Sequence, residues 1–154
     1  GGAAAGTRLF CFVVVTPNGV APPGVKVGYE QQVMDAIRPH KAGIYGCDGH
    51  AQYAGAKVTT GDWKSVVNTD IFLQTWAQVQ ADGQYKNFDW TVKVDVDCVF
   101  FPDRLRTHLA AAKPPASTAM YFKNIDFKFG FMGSLEVISK KAVDIYLAGV
   151  DKCG

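Results

Sequence analysis

A chain of 154 residues, 48% hydrophobic and nearly balanced in charge at +2, is long enough to bury one core and carries no compositional mark of disorder, coiled coil or collagen. Its Lys and Arg residues are scattered, the densest pairs being Arg104 with Arg106 and Lys140 with Lys141, so no nucleic-acid partner is expected. No apolar run approaches the roughly 20 residues of a membrane span and no signal-peptide pattern opens the chain, so no transmembrane or targeting segment is expected in it.

Residues 1–7, beginning Gly1-Gly2-Ala3-Ala4-Ala5-Gly6, read as a linker or trimmed start, and 8–154 as a single domain. Residues 9–15, L-F-C-F-V-V-V, form a continuous apolar and β-branched run, the pattern of a strand buried on both faces. It ends at Thr16-Pro17-Asn18-Gly19. Val33, Met34 and Ile37 at helical spacing predict a helix over 30–38, stopped by Pro39. A second strand is predicted over 43–48, ending in Cys47-Asp48, and completes a βαβ unit with parallel pairing. The polar, aperiodic stretch 49–64 reads as a long surface loop.

Asn68 is a candidate N-cap for a helix through Gln80, with Phe72, Trp76 and Val79 on its apolar face. A third strand over 87–96 then delivers Asp95 and Asp97 at its carboxyl end, where ligands bind in open α/β sheets. Pro102 can open the next helix, which carries Leu105 and Leu109 and ends at Pro114-Pro115. The alternating aromatic and polar residues of 120–131 predict one or two antiparallel edge strands, and 133–138 a last short strand. Ser139 caps a final helix over 140–148.

The chemistry concentrates in W-T-V-K-V-D-V-D-C-V-F-F-P, residues 90–102. Strand alternation would set Asp95 and Asp97 on one face, and two carboxylates so close call for a cation between them. Mg²⁺ or Mn²⁺ fits, since both favour one or two carboxylates completed by water and substrate phosphates. The competing reading of two aspartates at a strand end is a pair of turn residues. His40, His50 and His108 have no zinc spacing, and His50 alone falls near the presumed cleft. No G-x-G-x-x-G, G-x-x-x-x-G-K-[ST] or G-x-S-x-G is present, so a diphosphate would rely on the metal and on a lysine such as Lys57 or Lys64. Cys11, Cys47, Cys98 and Cys153 form no C-x-x-C pair, which argues against structural zinc. Cys11 and Cys98 are expected as buried thiols, with Cys153 available to Cys47 or to a group outside the chain.

The succession F-V-V-V-T, a strand ending C-D, V-N-T-D-I-F-L-Q-T-W, D-W-T-V-K-V-D-V-D-C-V-F-F-P-D-R-L and G-F-M-G-S-L-E-V-I-S-K-K-A-V resembles the GT-A fold of nucleotide-sugar-binding enzymes, and within it the Fringe-like and β-1,3-galactosyltransferase-like glycosyltransferases. The resemblance covers about residues 8–150. It implies a three-layer α/β/α sandwich with a mostly parallel, Rossmann-like sheet, and a hexosyltransferase moving sugar from a nucleotide-diphosphate donor, a UDP-sugar, to a glycan or protein acceptor hydroxyl. Residue by residue, it makes Asp97 the direct ligand of Mn²⁺ or Mg²⁺ and Asp95 a contact of the metal or the donor ribose. Thr16 and Asp48 would lie near the nucleoside, and Glu136 on the acceptor side. It also implies the secretory pathway, in the Golgi lumen. Members carry, beyond the last helix, an acidic segment with the catalytic base and often a metal-binding histidine. This chain reads as truncated before them, so the base is unassigned. The rival expectation is an inactive GT-A-like domain serving as a structural or docking subunit of a complex, with the aromatic stretch 121–131 meeting its partner.

Overall fold

The computed structural model describes the chain except for residues 1–4, 18, 20, 22–23, 25, 56–57, 61–64, 68, 116, 128–129, 132 and 153–154. At its centre lies β1 (Leu9–Val15), all seven of whose residues are buried. Strand alternation divides them between two cores. Leu9, Cys11, Val13 and Val15 join Trp90, Val92, Val94 and Val137 beneath Met34, Ile44 and Leu109, while Phe10, Phe12 and Val14 face Trp76, Val79, Val143 and Leu147.

Those contacts define three layers. The helices α1 (Tyr29–Ile37) and α3 (Pro102–Ala112) cover one side of the sheet, and α2 (Thr69–Asp82) and α4 (Lys140–Gly149) the other. The sheet order is β2-β1-β5-β6, with β2 (Gly49–Ala54), β1 and β5 (Trp90–Val94) parallel and β6 (Leu135–Ser139) antiparallel to β5. A separate antiparallel ribbon pairs β3 (Val58–Thr60) with β4 (Ser65–Val67). The chain runs outward from β1 to β2 and returns past β1 to β5, so strand order reverses at β1. The α/β/α sandwich with a mostly parallel sheet is the architecture expected.

Several local expectations are corrected. Residues 43–46 form a 3-10 turn, and the second strand follows at Gly49–Ala54, inside the stretch expected to be loop. The carboxylate of Asp48 accepts the Leu9 amide at 2.8 Å, and this bond sets where pairing with β1 begins. In the 120–131 stretch the described residues pair with β6 only through an isolated antiparallel bridge, Tyr121 with Ile138, and Phe122 packs on Trp90 at a ring-centroid distance of 5.3 Å. Cys11 is not a thiol: it is disulfide-bonded to Cys47, tying β1 to the end of the 3-10 turn, while Cys98 is free. Cys153 and Asn68 lie outside the described residues. Just before β1, Thr7 is buried and the Gly6 carbonyl accepts the Trp90 indole N–H at 3.1 Å. No helix among the described residues is long and apolar enough to cross a membrane.

Candidate functional site

Where strand order reverses, the carboxyl ends of β1 and β5 lie side by side, Val13 paired with Val94, and carry Thr16 and Asp95. This is the crevice position at which open α/β sheets take ligands. The strand itself stops at Val94. The Asp95 amide donates to Ser134 O at 3.0 Å and the Cys98 amide to Asp95 O at 3.0 Å, which closes a turn over Val96 and Asp97. Strand alternation therefore does not reach Asp97, and the two carboxylates meet different surroundings.

Asp95 turns toward the α2 side, where its Oδ1 accepts from Lys93 Nζ at 2.8 Å. The Lys93 side chain is 1% exposed. A buried ammonium is tolerable only when its charge and N–H groups are met. Here the Gly133 carbonyl accepts at 2.5 Å, Glu136 Oε1 lies at 3.8 Å and the Phe72 ring centroid at 4.3 Å. Burial pushes the Glu136 carboxyl up, against the lowering influence of Lys93 and with a further upward push from Asp95. At 14% exposure Glu136 serves this ion cluster and offers little surface to an acceptor. Lys93 is the residue that the sequence reading missed. Its position two before Asp95 was the available signal, since i and i+2 share a strand face.

Asp97 is exposed and takes no hydrogen bond or ion pair among the described residues. It lines a groove of about 680 Å³ between α1 and the start of α3, whose walls include Tyr29, Val33, Cys98, Phe101 and Arg104. The Cys98 thiol is pushed up by burial and then by the Asp95 and Asp97 carboxylates, so it remains a neutral wall residue.

Thr16 is buried, its amide donating to Glu30 Oε2 at 2.7 Å. Its Oγ1 has no hydrogen-bond partner among the described residues. Thr16 lines a recess of about 200 Å³ with Gln31, Gln52 and Tyr53, and an unpaired buried hydroxyl at a ligand edge is a group left for something to satisfy.

Asp48 is not part of this site. Because the second strand starts after it, Asp48 sits at the opposite, amino edge of the sheet beside Leu9, where Arg106 Nη2 also donates to it at 2.9 Å. Burial raises its carboxyl, but the Leu9 amide and the Arg106 guanidinium outweigh that and hold it below its ordinary value. His50 likewise belongs to the start of β2, its ring 5.0 Å from that of Tyr45. Lys57 and Lys64 lie outside the described residues.

No group of three His, Cys, Asp or Glu side chains converges among the described residues. Asp95 Oδ1 accepts from Lys93, which leaves its other oxygen without a partner among the described residues. The unpaired Asp97 carboxylate fits a hydrated Mg²⁺ or Mn²⁺ completed by phosphate oxygens, the usual way Mg²⁺ is held beside a nucleotide.

No family model matches the chain, and no curated protein does. Among solved structures, the chain is similar to a glycosyltransferase involved in the glycosylation of the major capsid of PBCV-1, at 11% sequence identity and a TM-score of 0.49. The match covers 92% of this chain and 64% of that one, so the chain spans less than two thirds of that structure's length.

Proposed function

We propose that this domain binds a nucleotide-diphosphate sugar, a UDP-sugar, at the carboxyl ends of β1 and β5, and that it is a GT-A-type, Fringe-like glycosyltransferase domain passing the sugar to a glycan or protein hydroxyl. One observation carries the reading: at the reversal of strand order, a buried hydroxyl, Thr16, and a carboxylate, Asp97, both without a partner among the described residues, flank adjacent strand ends. In this reading Thr16 meets the nucleoside and Gln31 and Gln52 border it. Asp95, 35% exposed, has its orientation held by Lys93 and turns its remaining oxygen to the donor ribose. Asp97 and the diphosphate would hold Mn²⁺ or Mg²⁺, which when bound neutralises charge on the departing diphosphate. The groove beside Asp97 receives the acceptor, and apolar walls keep water from competing with its hydroxyl. Glu136 is not assigned the base, because it is enclosed against Lys93.

The Cys11–Cys47 disulfide supports maturation in an oxidising compartment, in keeping with a Golgi setting. Calorimetric titration of UDP with and without Mn²⁺, on the parent and on Asp97→Ala, tests the proposal. UDP binding that needs Mn²⁺ and disappears in the variant is expected, and absent or metal-independent binding in the parent would overturn it. A second reading, a docking subunit without turnover, draws on the exposed Tyr121 and Phe127. It would be favoured by a native assembly much larger than a monomer that binds no UDP.

A further inference from the structure

Lys93 is the only charged residue in the buried class among the described residues, and it lies at the edge where the donor is proposed to bind. Its ammonium has no surface to present to a ligand. It joins four separate parts of the chain: its own strand β5, the Asp95 turn, the Gly133 carbonyl with Glu136 of β6 beyond it, and the Phe72 ring of α2. Asp95 is held twice, by its side chain on Lys93 and by its amide on Ser134 O at 3.0 Å. A carboxylate partly withdrawn from water is favoured in its charged form by an opposite charge close by. Here that charge is built into the chain.

We propose that Lys93 is a positioning residue whose buried ammonium supplies from inside the fold the positive charge that Asp95 would otherwise take from a bound divalent ion. Asp95 is thereby excluded from the metal shell and fixed toward the donor, and Asp97 alone ligates the ion. The assignment deepens the donor-site reading and rests on it for the roles of Asp95 and Asp97 toward ligands. The charge pairing itself does not depend on it.

The test has one arm that needs no ligand and two that do. In the first, the lysine side chains are labelled with ¹⁵N and their ammonium signals followed by NMR. The parent is expected to show one slowly exchanging lysine ammonium, absent from Lys93→Arg and displaced in Asp95→Asn. No protected ammonium, or one indifferent to Asp95→Asn, overturns the proposal. In the second, Mn²⁺ is titrated in the presence of UDP. Asp95→Asn is expected to change Mn²⁺ affinity by less than about threefold, and Asp97→Asn to weaken it by about tenfold or more, the loss of one charged ligand. Equal weakening by the two variants overturns the proposal. In the third, Lys93→Met is titrated with Mn²⁺ alone. Stripped of their internal cation, Asp95 and Glu136 should take up Mn²⁺ more tightly than in the parent, and unchanged affinity in a folded variant counts against the proposal. If Lys93→Met does not fold, the Arg and Asn variants carry the test. Should UDP bind to none of these proteins while the ammonium signal behaves as expected, the donor-site reading falls and the pairing of Lys93 with Asp95 stands.

Discussion

Glu30 Oε2 accepts the backbone N–H of Thr16 at 2.7 Å, so the first turn of α1 is fastened directly to the carboxyl end of β1. The bond fixes the backbone that presents the Thr16 hydroxyl, which has no partner among the described residues. Glu30→Ala removes a charged acceptor from a buried amide and is expected to cost about 1.5–3 kcal/mol, the range for hydrogen bonds to charged groups. Urea unfolding would show it as a lower midpoint with an unchanged slope.

Thr16→Val separates stability from binding. The hydroxyl has no partner among the described residues, so replacing it by a methyl of similar size should leave stability unchanged or raise it by up to about 1 kcal/mol. UDP affinity should fall by about tenfold, the equivalent of one hydrogen bond. Undiminished UDP binding would place the nucleoside elsewhere.

Asp48 gives the chain an acid-sensitive clamp at the other edge of the sheet. Its folded pKa lies below the ordinary 3.8, so its contribution to stability is complete above that value and is lost as pH falls through the depressed folded pKa. Stability should therefore decline on the acid limb, and Asp48→Asn should be less stable at neutral pH with a shallower decline. Thermal melts of both proteins between about pH 5 and about pH 2, bracketing the ordinary carboxylate range, would read the difference.

Reduction of the Cys11–Cys47 disulfide, which spans a sequence separation of 36, is expected to cost roughly 4 kcal/mol on the loop-entropy account. The enclosed loop contains α1 and one wall of the Asp97 groove. Cys47→Ser should reproduce most of the loss, and a reductant should then have no further effect on the variant's urea midpoint.

Much of the fold was legible because local signals and tertiary demands agree. The apolar run of β1 needs burial on both faces, and Pro102 begins α3 at the position where a missing N–H costs nothing. Ser139 caps α4 as expected, its side chain accepting from the Ala142 amide at 3.3 Å. The second strand was not legible. Gly43-Ile44-Tyr45-Gly46 has the more strand-like composition, whereas Gly-His-Ala-Gln-Tyr-Ala becomes β2 because the free edge of β1 supplies its hydrogen bonds. Propensity is a weak guide when a long-range ladder sets the register.

The candidate site divides in the same way. Sequence alone determined that an apolar strand runs into D-V-D at the carboxyl edge of an α/β sheet, because alternation of elements and burial are written in local pattern. Only the tertiary structure decided that Asp95 belongs to Lys93, that Asp97 is left to the groove and that Asp48 stands at the far edge. Charge pairing depends on which residues converge, and Phe72, Gly133 and Glu136 reach the Lys93 ammonium from distant points in the chain.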